Sequence, residues 1–287
     1  MRLRRWFVVG ILAAGLGAMA QAPLTLREAY AGDFHIGAAI NTAQITGQDA
    51  RGDAILLTQF DSISPENVLK WEVVHPQPGK YDFTLADRYV TFGAQHRMWT
   101  VGHNLVWHSQ VPAWVFRDEK GNLLTRDALL ARMHDHIATV VGRYKGRIQS
   151  WDVVNEALNE DGTLRQDLWE KIIGDDYIAK AFDVLPPAMG AQTADVSVNI
   201  AGNAKLNPWP HGLPDTVQEQ LAARYAELFR VYVANKASIS RVTFWGVTDG
   251  DSWKNDWPVR GRTDYPLLFG RDGETKPAFA AVVEAAR

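Results

Sequence analysis

The sequence predicts an α/β fold built on a parallel sheet, and three observations lead there. Short apolar runs of strand length recur along the chain, stretches with apolar residues at helical spacing separate them, and only one long segment breaks the alternation. The candidate strands are Phe34–Ile40, Phe60–Ser64, Met98–His103, Ile148–Val154 and Arg241–Val247. A helix from about Asp127 to Arg143 lines up Leu130, Met133, Ile137, Val140, Val141 and Tyr144 on one stripe. A second, from about Val217 to Asn235, does the same with Leu221, Tyr225, Leu228, Phe229 and Tyr232. Thr216 with Glu219 reads as its capping box, and Pro214 lies just upstream. Thr275 followed by Pro277 opens a last helix through Val283. From Asp183 to Asp215 the chain is rich in Pro, Ala, Asn and Gly and shows neither period. A loop that long inside a compact domain marks an irregularity of the fold.

The first 22 residues stand outside this pattern. Arg2, Arg4 and Arg5 precede an apolar stretch, Trp6–Ala20, and small residues then stand at Ala18-Met19-Ala20 and Ala20-Gln21-Ala22. A basic head, an apolar middle and an Ala-x-Ala end describe a secretory signal peptide. The apolar part is shorter than the ~20 residues of a membrane span. The expectation is a secreted or periplasmic protein with no membrane association after cleavage, its mature domain running from Pro23 to Arg287.

Composition narrows the function further. A net charge of −3 gives no basic face for nucleic acid. There are no cysteines, so thiol chemistry and thiolate metal sites are excluded, and stability must come from the core. His103 with His108, and His134 with His136, are too sparse for a metal site, and residues two apart on a helix face different ways. No metal or cofactor is expected. The unusual feature is 11 tryptophans, side chains suited to the apolar faces of sugars. Trp114, Trp151 and Trp169 read as packing.

The polar residues at strand ends carry the chemistry. In Trp151-Asp152-Val153-Val154-Asn155-Glu156 an apolar strand runs out into an Asn-Glu pair. The carboxyl ends of the strands form the active face of an α/β barrel, and a carboxylic acid there can protonate a glycosidic oxygen. Alone, the dipeptide reads more readily as an ordinary strand-end Asn-Glu in a loop. Three further runs join hydrogen-bonding groups to tryptophan: Ser64-Pro65-Glu66-Asn67-Val68-Leu69-Lys70-Trp71, Gly102-His103-Asn104-Leu105-Val106-Trp107-His108-Ser109-Gln110, and Phe244-Trp245-Gly246-Val247-Thr248-Asp249 with Asp251-Ser252-Trp253.

In this order the four motifs resemble the family-10 glycoside hydrolases, the endo-1,4-β-xylanases, over roughly 34–182 and 213–283. The resemblance implies a (β/α)8 TIM barrel, xylan or xylo-oligosaccharides as substrate, and a retaining mechanism. It makes Glu156 the acid/base and Asn155 its partner at the sugar 2-hydroxyl. It places Glu66, Asn67, Lys70, His103 and Trp107 on the glycone side of a cleft walled by Trp245 and Trp253. Trp245 also fits a barrel core, and His103 a buried histidine satisfied by a neighbour.

The chain departs from the pattern in one place. A retaining glycosidase needs a second carboxylate about 5–5.5 Å from the first. In the family this nucleophile is a glutamate ending strand seven. Here Ile178–Phe182, resembling the helix after strand four, runs directly into Asp183–Pro187, resembling the loop after strand seven. No glutamate occurs between Glu170 and Glu219. At about 30 residues per strand–helix–strand unit, the missing strands five to seven amount to roughly 80 residues. The expectation is therefore a barrel incomplete between about 182 and 183, with five of eight strands and no nucleophile. Two functions remain open: an endoxylanase-type hydrolase, or a catalytically defective remnant that binds xylan weakly. A third, less favoured, has Asp183, Asp195 or Asp249 in place of the glutamate.

Overall fold

The computed structural model describes residues 24–159, 161–184, 207–257 and 260–287. The leader expected over 1–22 and most of the expected 183–215 loop lie outside them. Five parallel strands form one sheet among the described residues: β1 (His35–Ile40), β2 (Ser62–Pro65), β3 (Trp99–Val106), β4 (Ser150–Val154) and β5 (Arg241–Phe244). All five fall where the apolar runs placed them. β3 runs three residues further than expected, to Val106. β5 stops at Phe244, because Gly246 takes a left-handed φ of 131° and its N–H turns back to the Phe244 carbonyl. Val247 is buried without belonging to the ladder.

The strand order is β4-β3-β2-β1-β5. The chain thus builds four neighbours in sequence order and then adds its last strand beside the first, as a closing barrel would. β4 and β5 are left as the outer strands. Their side chains nevertheless meet: Arg241 of β5 donates to Ser150 Oγ and to Asp152 Oδ1 of β4, each at 3.1 Å. The sheet is therefore curled enough for one arginine to span its open side. Between β3 and β4 the packing is close. A Cβ at Gly102 would lie 2.1 Å from the Trp151 ring, so the absence of a side chain there admits the indole.

The helices cover the outside. Arg126–Arg143 is capped by Thr125, whose hydroxyl accepts from the Ala128 N–H, and it buries Leu129, Met133, Ile137, Val140 and Val141. His134 is exposed on this helix and His136 is buried. The helix Asp215–Ala234 begins differently from the sequence reading. Pro214 holds the cap position with extended backbone and no side-chain cap, so the Thr216–Glu219 capping box does not form: both residues already lie inside the first turns. Its inward face is Ala222, Ala226 and Phe229, while Leu228 points outward, 36% exposed. Small alanines let this helix lie close to Pro277–Ala285, whose proline occupies the first helical position as expected. Tyr30 stacks on Phe34 at 4.9 Å and donates to the Val282 carbonyl, tying the chain's early turn to that last helix.

Candidate active site

Glu156 lies two residues beyond the end of β4. The Asn155 N–H donates to the Val106 carbonyl, which extends the β3–β4 ladder one step and carries Glu156 over the sheet's carboxyl end. Trp107 leaves β3 at the same level, and its indole N–H donates to Glu156 Oε2 at 2.9 Å. His108 Nε2 stands 3.7 Å from the same oxygen. Burial, then the nearby Arg165 charge, hold the His108 imidazole below its usual range.

A polar chain continues from Trp107. The Lys70 ammonium sits 4.6 Å from the centre of the Trp107 ring and donates to Asn67 Oδ1 at 3.0 Å and to Gln110 Oε1. Gln110 in turn donates to Asn67 Oδ1 at 3.2 Å and to Glu72 Oε1 at 3.1 Å. Glu66 is the outlier in this group. Its Oε1 is buried with no hydrogen-bond partner among the described residues, and burial followed by repulsion from Asp251 pushes its carboxyl up to about 7, against the pull of Lys70. Burial also brings Lys70 down to about 8, opposed by Glu66, Glu156 and Glu72. Near neutral pH Glu66 is thus only partly ionised and can both donate to and accept from sugar hydroxyls, while Lys70 stays mainly a protonated donor.

His103 is buried beneath this level. Its Nδ1 pairs with Asp152 Oδ2 at 3.0 Å, and its ring meets the half-buried Trp245 edge-on at 4.7 Å. Asp152 is shared with Arg241, and the two partners outweigh its burial and hold its carboxyl below the usual range. Trp253 is 47% exposed and pairs with Trp257, 52% exposed, at 5.2 Å. Trp151 and Trp169 are core residues, as expected. Trp169 also donates from its indole to the Trp107 carbonyl at 2.9 Å, and Trp114 is half-buried.

The structure therefore joins Glu156, Trp107, Lys70 and Asn67 in one network and His103 with Trp245 in another. Sequence reading missed Gln110, Asp152, Arg241, Arg165 and Trp257 as parts of these networks. Gln110 and Asp152 stand inside motifs that were recognised. The other three lie outside any recognised motif or at its edge, and only the fold brings them in. Among the described residues, no three His, Asp or Glu side chains are grouped to hold a metal.

Two of the three carboxylates considered as substitutes for the nucleophile have partners of their own. Asp249 is 1% exposed, with Oδ2 accepting from Lys276 Nζ and Oδ1 from the Leu267 N–H, both at 2.8 Å. Asp183 follows the helix Tyr177–Phe182 and accepts from Lys180, its side chain 65% exposed. Asp195 lies outside the described residues.

Comparison with known proteins decides the family. Glycosyl hydrolase family 10 matches residues 25–199 and 192–285. This chain belongs to that family. It is 32% identical to endo-1,4-beta-xylanase A of Xylanibacter ruminicola, over 99% of each chain, and 34% identical to the beta-1,4-xylanase of Dictyoglomus thermophilum, over 91% of this chain and 90% of that protein. Its fold is similar to a GH10 endoxylanase from a sugarcane soil metagenome, with a TM-score of 0.81 and 34% identity over 92% of this chain and 99% of that one. It is similar also to a mutant structure in complex with xylotriose, with a TM-score of 0.78 and 29% identity over 91% and 99%. The chain is a glycoside hydrolase by family, and its curled parallel sheet is a truncated TIM barrel. The family match comes in two pieces that meet at 192–199. The first alignment spans 366 positions against a chain of 287, which leaves at least 79 positions that this chain does not fill. The junction of the two family pieces lies about ten residues beyond the expected junction at 182–183.

Proposed function

We propose that this family-10 chain is directed at β-1,4-xylan, with Glu156 as acid/base, Asn155 beside it for the sugar 2-hydroxyl, and no glutamate nucleophile. Glu66, Asn67, Lys70, His103 and Trp107 form the glycone side in this reading, and Trp245 and Trp253 the aromatic walls. One observation carries it: the Glu156 carboxyl stands at the carboxyl end of β4, held by Trp107, while β4 and β5 are the outer strands of the sheet among the described residues. Acid catalysis alone contributes typically ~10²–10⁴-fold. Without a carboxylate aimed at the anomeric carbon, the oxocarbenium-like transition state loses its main electrostatic support. Inversion through water would need a base ~6.5–9.5 Å from Glu156, and no motif provides one. Xylan hydrolysis is accordingly far slower than in an intact relative, and the surviving property is weak binding of xylo-oligosaccharides. The basic and apolar leader makes export part of the same proposal.

The test is xylan turnover by the purified chain beside its Glu156→Gln variant. Absent turnover, or slow turnover that falls further in the variant, supports the proposal. Ordinary enzyme rates that the variant abolishes would show that another carboxylate has replaced the glutamate.

A further inference from the structure

Glu156 has a backbone conformation that needs a cause. Its φ is +50°, in the left-handed region that a non-glycine residue enters at a cost of roughly 1–2 kcal/mol. Such residues persist where their surroundings fix them. The chain after Glu156 turns back on itself: Leu158 pairs with Leu164, Asn159 N–H donates to the Thr163 carbonyl at 2.8 Å, and Arg165 N–H donates to the Ala157 carbonyl at 2.8 Å. The return strand of this small hairpin delivers Arg165. Its guanidinium then reaches across the turn, donating from Nε to the Glu156 carbonyl at 3.0 Å and from Nη2 to the Leu158 carbonyl at 3.3 Å.

We infer that Arg165 is the positioning residue for Glu156: its fork holds the left-handed turn that aims the carboxyl at the Trp107 indole. A guanidinium suits the task, because its donors are fixed in one plane and two carbonyls two residues apart can be gripped at once. A lysine offers a single point of attachment. Arg165 also lies near His108, whose imidazole is held below its usual range first by burial and then by this charge. The inference rests on the reading of Glu156 as the acid for its functional meaning, and on the Arg165 contacts alone for its geometry.

The experiment reads the geometry directly. In the 15N-labelled chain, the Trp107 indole N–H resonance is assigned with Trp107→Phe, and Glu156→Gln defines where it moves when its carboxylate partner is gone. Arg165→Met is expected to carry this resonance more than half of the way to the Glu156→Gln position, leaving the buried Trp151 and Trp169 indoles in place. Arg165→Lys is expected to move it part of that distance. A Trp107 resonance that stays at its wild-type position in Arg165→Met overturns the inference. If Arg165→Met disturbs every indole, Arg165→Lys decides: Trp107 moving alone supports the inference, and an unmoved Trp107 ends it. A separate failure is distinguishable, because unchanged turnover in Glu156→Gln would remove the role of Glu156 as acid without touching the Trp107 spectrum.

Discussion

Replacing Glu66 with glutamine is expected to stabilise the protein at pH 8 and to change little at pH 4.5. Glu66 titrates near 4.5 when unfolded and at about 7 in the fold, because it is buried, faces Asp251, and leaves Oε1 without a partner. A raised carboxyl favours the folded state where both states are protonated, below pH 4.5, and this advantage is lost as pH rises through 7. Two and a half units at 1.36 kcal/mol each amount to about 3 kcal/mol of strain at pH 8 in the wild type. Glutamine resembles the neutral acid in shape and carries no charge, so it removes that strain. Lys70 offsets part of the gain, since Glu66 is the first of the charges that keep it protonated. The net expectation is about 2 kcal/mol at pH 8 and under about 0.5 kcal/mol at pH 4.5. Urea unfolding of both proteins at the two pH values measures it, with the slopes showing whether the unfolding transition is the same. Equal differences at both pH values, or a loss of stability at pH 8, would refute the assignment of Glu66 as a strained, binding-directed carboxyl.

Three further outcomes follow from the same contacts. Arg241→Met removes the bridge across the open side of the sheet and leaves Asp152 buried with His103 as its remaining partner. A loss of about 3 kcal/mol is expected in urea unfolding, and a loss below about 1 kcal/mol would mean the bridge does not hold the outer strands. Xylo-oligosaccharides are expected to perturb tryptophan fluorescence with a Kd near a millimolar, about 4 kcal/mol, whereas an equal response to an α-glucan would contradict xylan specificity. N-terminal sequencing of exported protein is expected to begin after Ala20 or Ala22, and a retained Met1 would contradict cleavage.

Much of this was legible in the sequence because strand ends announce themselves. β1 to β5 follow from apolar runs bounded by polar motifs, and Glu156, Trp107, Lys70 and Asn67 come together in the fold because each motif stands at such an end. The cap of Asp215–Ala234 was misread because proline with extended backbone can hold the cap position without a side-chain acceptor, and Thr216 and Glu219 match the box by chance of spacing. Leu228 was placed inward on a stripe whose packing is in fact set by Ala222 and Ala226, where a neighbouring helix needs small residues. Arg241 and Arg165 were illegible for another reason. Their partners lie 89 and nine residues away and are backbone carbonyls or an interior aspartate, and no local pattern records such pairings.

The central claim, that the nucleophile is missing, is tested most directly by trapping. An activated 2-deoxy-2-fluoro-xylobioside gives a long-lived glycosyl-enzyme ester with any retaining enzyme that has a carboxylate nucleophile, because the fluorine slows the second step. The purified chain, incubated with this reagent and weighed intact by mass spectrometry, is expected to keep its unmodified mass while an intact family-10 relative gains one fluoroxylobiosyl group. A stoichiometric gain of that group on this chain, mapped to an aspartate such as Asp183 or Asp195, would contradict the account and name the residue that has taken the glutamate's place.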